Sequence, residues 1–334
     1  MTRTLIVDDS PLVRSIIRDF LSGEGSFEII GEGEDGQDGI TKARMLDPDL
    51  ITMDIEMPVM NGLDAVVEIR KFSKCGIVVI STHDTAKTAY DAIVKGAHEF
   101  FPKDLFTAHM DEQKRQEIFN TLKHITHIKN RVSSVQSHAD PLTGSRRINC
   151  VVIASSTGGP MALCRLCSDL PENFGVPIIL VQHNTSGFDL SFVQWLNGYS
   201  RLNVQLAREN TFPIKGNIYV APTDKHLVIK NDVLSFDDGN PVNNQKPAAD
   251  LLFKSAAASF RNSLISVVLT GMGYDGAEGT SFIKKAGGIT IAQDESSSMI
   301  FGMPKAAIDT GCVDIVLPLG EIKNTLCSLT GGEK

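Results

Sequence analysis

Short unbroken runs of Val, Ile and Leu, each followed at once by a polar residue, recur along this chain and constrain its fold more than any other feature. They include TLIV (4–7), LITM (50–53) and GIVVIS (76–81), then INCVVIAS (148–155), VPIILVQ (176–182) and LISVVLTGMGY (264–274). Each is too short for a buried helix and lacks the apolar–polar alternation of a half-exposed strand. They therefore read as strands covered on both faces, the pattern of a parallel sheet. The stretches between the early runs, such as LVRSIIRDFLSG and GLDAVVEIRKF, have helical periodicity and crossover length, which predicts an α/β fold with a doubly wound parallel sheet. Polar residues at the carboxyl ends of such strands gather along one edge, where open parallel sheets bind ligands.

At 334 residues the chain is long for one hydrophobic core, so two domains are expected. No apolar stretch approaches the roughly 20 residues needed to cross a bilayer. The opening MTRTLIVDDS runs directly into a strand rather than a signal peptide, so a cytoplasmic protein without membrane insertion is expected. The net charge of −8 includes no concentrated basic segment, which argues against nucleic acid as a partner. The six cysteines are scattered among apolar segments and suit buried thiols. Cys164 and Cys167 form C-x-x-C inside the helical pattern MALCRLCSDL, with no further ligands at metal spacing.

In the first hundred residues the polar groups after the strands are Asp8 and Asp9, Asp54, Ser81 and, after HEFFP, Lys103. Three carboxylates converging at one edge repel one another unless a cation joins them, and hard oxygen ligands favour Mg²⁺. A lysine and a hydroxyl opposite them suit a phosphoryl group on Asp54. These marks, with VDDS and MDIEMPVMNGLD, resemble the receiver domain of two-component response regulators. The resemblance implies a flavodoxin-like fold, phosphorylation of Asp54, Mg²⁺ held by Asp8, Asp9 and Asp54, and switch or signalling roles for Ser81, Phe100 and Lys103. Pro102 precedes the lysine rather than following it, so Lys103 is expected on a different turn.

From Asp104 the chain becomes polar and helical, then rich in turn residues (SHADPLTGSRR), which reads as a terminal receiver helix running into a linker. The expected division is a receiver over 1–105, a helical and polar linker over 106–146, and a catalytic domain over 147–334. His124 and His127, spaced i, i+3, read as an ordinary helix face.

In the second half, Ser156, His183 and Asp275 each follow a strand-like run, which suggests a serine nucleophile, its base and an orienting acid in the order Ser…His…Asp. The turn SSTGGP lets backbone approach a substrate and opens a helix whose N–H groups face a developing oxyanion. Taken alone, the turn leaves a phosphate cradle open as the lesser alternative; the absence of G-x-G-x-x-G or a P-loop lysine, and the presence of His183 and Asp275, favour the hydrolase. Ser155 competes with Ser156, but the residue nearer the turn is preferred. His226 leads into a strand and reads as structural.

ASSTGGP, VQHNTSGF, VAPTDKH, KPAADLLF, VVLTGMGYDGAEG and FGMPKAA, in this order, resemble the catalytic domain of chemotaxis protein-glutamate methylesterases. That resemblance implies a three-layer α/β/α domain with Ser156 as nucleophile, His183 as base, Asp275 as acid, and Thr157 and Met272 lining the oxyanion site. It also implies methyl-accepting chemoreceptors as substrate, a chemotaxis histidine kinase as phosphodonor, demethylation with glutamine deamidation, and no cofactor for the ester chemistry. The receiver is expected to restrain the esterase until Asp54 is phosphorylated. The rival readings are the same domain pair in a non-chemotactic pathway, or a non-catalytic receiver and docking protein.

Overall fold

A computed structural model describes residues 1–82, 86–106, 110–126 and 147–331, which form two compact units. The first is built on five parallel strands, β1 (Thr2–Val7), β2 (Phe27–Gly33), β3 (Leu50–Met53), β4 (Gly76–Ser81) and β5 (Glu99–Pro102), in the order β2-β1-β3-β4-β5. Helices α1 (Pro11–Ser22), α2 (Gly36–Leu46), α3 (Gly62–Arg70) and α4 (Ala86–Lys95) make the crossovers. Three of them start where the sequence supplies an acceptor for free N–H groups. Ser10 caps α1 ahead of Pro11, Asp35 caps α2 and Asn61 caps α3. The strand order reverses between β1 and β3, so Asp8 and Asp54 emerge at the crevice that this reversal opens.

The stretch after β5, read from sequence as a terminal receiver helix running into a linker but counted within the linker bounds 106–146, contains α5 (Glu112–Thr126), which belongs to the first unit. Its Ile118, Phe119, Leu122 and Ile125 are buried, and Phe119 stacks on Phe20 with ring centroids 4.6 Å apart. The apolar stripe was diluted in sequence by the polar face around it. His124 bonds its own helix at the Asn120 carbonyl, while His127 and the turn-rich part of the linker lie outside the described residues.

The second unit centres on seven parallel strands. In chain order these are β6 (Cys150–Ser155), β7 (Ile178–Gln182), β8 (Asn203–Leu206), β9 (Asn217–Val220), β12 (Leu264–Val268), β13 (Ile289–Gln293) and β14 (Ile315–Leu317). Their order in the sheet is β14-β13-β12-β6-β7-β9-β8. An antiparallel hairpin, β10 (His226–Lys230) with β11 (Val233–Asp237), turns through Asn231 and Asp232, both at positive φ. Helices α6 (Gly159–Asp169), α7 (Asp189–Tyr199) and α11 (Leu319–Thr330) form one layer; α8 (Ala249–Phe260), α9 (Ala277–Lys285) and α10 (Met303–Asp309) form the other. All six residues of β6 are buried because both layers cover it: Cys150, Val152 and Ala154 pack toward Leu252, Phe253 and Ala256 of α8. The chain begins this sheet at its middle and builds outward in both directions, which puts the switch point at the ends of β6 and β12. No helix among the described residues is long and apolar enough to cross a membrane.

Candidate active site

In the first unit the carboxylates of Asp8, Asp9 and Asp54 each offer an oxygen within 4.8 Å of the others. Asp8 and Asp54 are buried and Asp9 is exposed. Lys103 Nζ donates to Asp54 Oδ2 at 2.7 Å and lies 2.9 Å from Asp8 Oδ2, an ion pair without hydrogen-bond alignment. Burial together with the Asp8 charge raises Asp54 to about 6, although Lys103 and the Ile55 N–H pull it down. Burial works against the Lys103 ammonium as well, but its two carboxylate partners win and raise its pKa. One lysine thus answers only part of the negative charge, and the set of hard oxygens fits a divalent cation.

Ser81 ends β4 and pairs in register with Pro102; it sits one residue beyond the level of Asp54. Phe100 is half-buried and meets the Tyr90 ring edge-to-face at 4.9 Å. Lys103 opens a short 3₁₀ turn, Lys103–Leu105, and the one cis peptide bond among the described residues is Lys246–Pro247, so the Lys103–Asp104 bond is trans.

In the second unit the register does the first part of the work. Ser155 at the end of β6 pairs with Gln182 at the end of β7, so the next residues, Ser156 and His183, leave adjacent strands side by side. Neighbouring strands lie about 4.8 Å apart. The His183 N–H donates to the Ser155 carbonyl, and the Ser156 N–H donates to the carbonyl of Thr270 beyond β12. Gly158 takes φ 74°, open to glycine, and a Cβ there would lie 2.6 Å from that of Met299. A Cβ on Gly159 would strike the Gln182 side chain. The tight turn therefore needs both glycines to bring α6 against the serine.

His183 Nε2 stands 2.9 Å from Asp275 Oδ2, and both side chains are buried. Burial would raise the Asp275 pKa, but the His183 contact and the Ala249 and Asp250 N–H groups outweigh it and hold the carboxyl below its usual range. An ionised carboxylate only accepts, so Nε2 carries a proton, and in the neutral imidazole Nδ1 is the nitrogen with the lone pair. Nδ1 is buried and has no hydrogen-bond partner among the described residues. Thr157, in the turn, and Met272, beyond β12, have backbone N–H groups that meet no protein acceptor among the described residues.

Ser155 is fully buried and its hydroxyl donates to Gln182 Oε1 at 2.7 Å, which removes it from the surface. His226 is likewise buried, its Nδ1 accepting from the Ala248 N–H and its Nε2 donating to the Asn240 carbonyl. Burial pushes the Cys164 and Cys167 thiols up to about 11 and about 12, so neither is a thiolate at neutral pH.

Residues 151–326 match the family model of the CheB methylesterase, and residues 4–114 match that of the response regulator receiver domain. The chain belongs to the CheB methylesterase family. A protein-glutamate methylesterase/protein-glutamine glutaminase of Pyrococcus abyssi is 37% identical over 341 residues, covering 97% of this chain and 92% of the relative. A protein of the same description from Clostridium acetobutylicum is 35% identical over 99% of this chain and 98% of its own length. The crystal structure of the Thermotoga maritima CheB methylesterase catalytic domain, 40% identical, covers 55% of this chain and 98% of that domain with a TM-score of 0.53.

Three contributors to the site went unread in the sequence. Gln182 Nε2 donates to the carbonyls of both Ser156 and His183, at 3.1 and 2.9 Å, and so ties the two strand ends together. Asp250 and Asn243 contact the surroundings of Asp275 from α8 and the turn before it. A glutamine closing an apolar strand was the visible signal for the first; PAADLLF offered an acid in a helix start for the second, with nothing local to say what it faces.

Proposed function

We propose that Ser156 is the nucleophile of a phosphorylation-activated protein-glutamate methylesterase, with His183 as its base through Nδ1 and Asp275 as the acid that orients the ring. The observation that carries this reading is the buried, unpartnered Nδ1 of His183, whose other nitrogen is occupied by Asp275 and whose strand neighbour is Ser156. Contacts between nucleophile and base often tighten only in the reacting complex. Nδ1 takes the Ser156 hydroxyl proton as Oγ attacks a γ-glutamyl methyl ester of a chemoreceptor. The N–H groups of Thr157 and Met272 receive the oxyanion, each such donor being worth about 10²–10³ in rate. His183 returns the proton to departing methanol, and water then hydrolyses the acyl-enzyme; with glutamine, ammonia leaves instead.

The receiver accepts a phosphoryl group from a histidine kinase on Asp54, opposite Lys103. Asp8, Asp9 and Asp54 would hold Mg²⁺, which when bound neutralises charge on the phosphoryl oxygens. In this reading the receiver comprises residues 1–105 continued by α5, the linker occupies the remainder through 146, and the esterase occupies 147–334.

The test is methanol release from methylated receptor by the full chain, with and without a small-molecule phosphodonor. Release should rise with phosphodonor, should lose that response in Asp54→Ala, and should vanish in Ser156→Ala. Undiminished turnover by Ser156→Ala would overturn the assignment of the nucleophile; a retained phosphodonor response in Asp54→Ala would overturn that of the phosphoacceptor.

A further inference from the structure

We propose that Asp250, acting with Asn243, is a positioning residue for the ester hydrolysis, fixing the carboxylate of Asp275 through an exchange of helix caps. The inference rests on the triad proposed above. Asp250 is 1% exposed and Asp275 is 2% exposed. Among the described residues no lysine or arginine forms an ion pair with either. Two like charges buried together raise each other's cost of ionisation, so something must hold them.

What holds them is the start of two helices, each served by the other's acid. Asp275 lies just before α9, yet its carboxylate accepts the N–H groups of Ala249 and Asp250, at 2.6 and 3.0 Å, which open α8. Asp250 lies in the first turn of α8, yet its Oδ1 accepts the N–H groups of Gly276 and Gly279, at 3.1 and 2.6 Å, which open α9. Unsatisfied N–H groups and the positive end of the helix dipole favour an acid in both places. Neither helix can shift without turning the other's acid.

Asn243 closes the clasp. It sits at φ 53° in a two-residue turn bridged by Val242 and Gln245, and its Nδ2 lies 2.7 Å from Asp250 Oδ2 and 3.3 Å from Asp275 Oδ1. Four donors, His183 Nε2 among them, therefore surround the Asp275 carboxylate, so the direction in which it receives the imidazole is set by the other three. A helix cap alone does not need a second buried carboxylate, because serine, threonine or asparagine caps as well without the repulsion. The second buried carboxyl group is accounted for by the orientation it imposes on the acid behind His183.

The experiment is a double-mutant cycle on the full chain, scored as kcat and KM for methanol release from methylated receptor in single-turnover and steady-state form. Asp250→Asn keeps the shape but puts an amide where either the two N–H groups of α9 or Asn243 must donate. We expect it to lower kcat about tenfold with KM within about twofold, and to change kcat by less than about twofold in an Asp275→Asn background, because residues acting as one unit are non-additive. The same factor lost in both backgrounds, or an unchanged kcat, would overturn the positioning role. If Asp250→Asn does not fold, Asn243→Ala is run through the same cycle, since it leaves both helix starts capped; an equal loss in both backgrounds again overturns the proposal. Ser156→Ala and Asp275→Asn alone serve as controls: turnover by either at the wild-type rate refutes the triad, whereas their failure with an additive cycle refutes only the role of Asp250.

Discussion

Ser155→Ala separates the two adjacent serines in a way that the structure makes quantitative. The Ser155 hydroxyl is fully buried and donates at 2.7 Å to Gln182 Oε1, itself buried, so truncation leaves a carbonyl oxygen without its donor. An orphaned buried polar group costs about 1–3 kcal/mol. For a unit of this size that corresponds to a fall of roughly 2–4 °C in midpoint per kcal/mol. Activity should suffer far less. Gln182 keeps its two Nε2 bonds to the Ser156 and His183 carbonyls, so the strand ends that present the proposed nucleophile and base stay tied. We expect kcat within about tenfold of wild type, set against a loss on the order of 10⁶ when a serine nucleophile is removed, as Ser156→Ala would do. Scanning calorimetry of the full chain and phosphodonor-stimulated methanol release measure the two effects. If Ser155→Ala abolished turnover with an unchanged melting transition, while Ser156→Ala stayed active, the nucleophile would be the buried serine and the reasoning from burial would be wrong.

Two further predictions concern the receiver. Val59 is 86% exposed at φ 64°, inside a turn closed by the Met60 N–H on the Pro58 carbonyl, so its side chain buries nothing while its backbone is strained by about 1–3 kcal/mol. Val59→Gly should raise the receiver's melting temperature, the relieved strain exceeding the roughly 0.5–1 kcal/mol of added chain entropy; a lower one refutes it. Burial, with the Arg70 charge beside it, lowers His98 to about 4. The native protein thus stays neutral there while the unfolded chain protonates near 6.5, so His98 contributes stability above about 6.5 that is lost as pH falls toward 4, worth about 2–3 kcal/mol. Asp54, raised to about 6, has the opposite slope across much of that window. The difference in denaturant midpoint between wild type and His98→Gln cancels the Asp54 contribution: the wild type should lose ground to the variant on acidification from pH 7 to 4. A pH-independent difference would contradict the neutral, buried state of His98.

The readable part of this protein was whatever a strand writes into contiguous residues. An apolar run names the strand, its last residue names the sheet edge, and Asp8, Asp54, Ser156 and His183 each follow such a run, so their gathering is a property of parallel topology. Helix α5 was legible as a terminal receiver helix, but its buried stripe, Ile118, Phe119, Leu122 and Ile125, is spread through a polar segment, and its packing is seen only once Phe20 covers it.

By itself the sequence marked two parallel-sheet units, the acidic edge of one and the candidate serine and histidine of the other, because these depend on the order of residues along single strands. Only the tertiary structure decided which nitrogen of His183 is free, that Ser155 spends its hydroxyl on Gln182, and that Asp250 and Asp275 exchange helix caps under Asn243. Apart from the short reach of Asn243 to Asp250, those depend on donors and acceptors brought together from 25 or more residues apart, and in the exchanged caps the packing of α8 on α9 places each N–H group, so no local pattern records its partner.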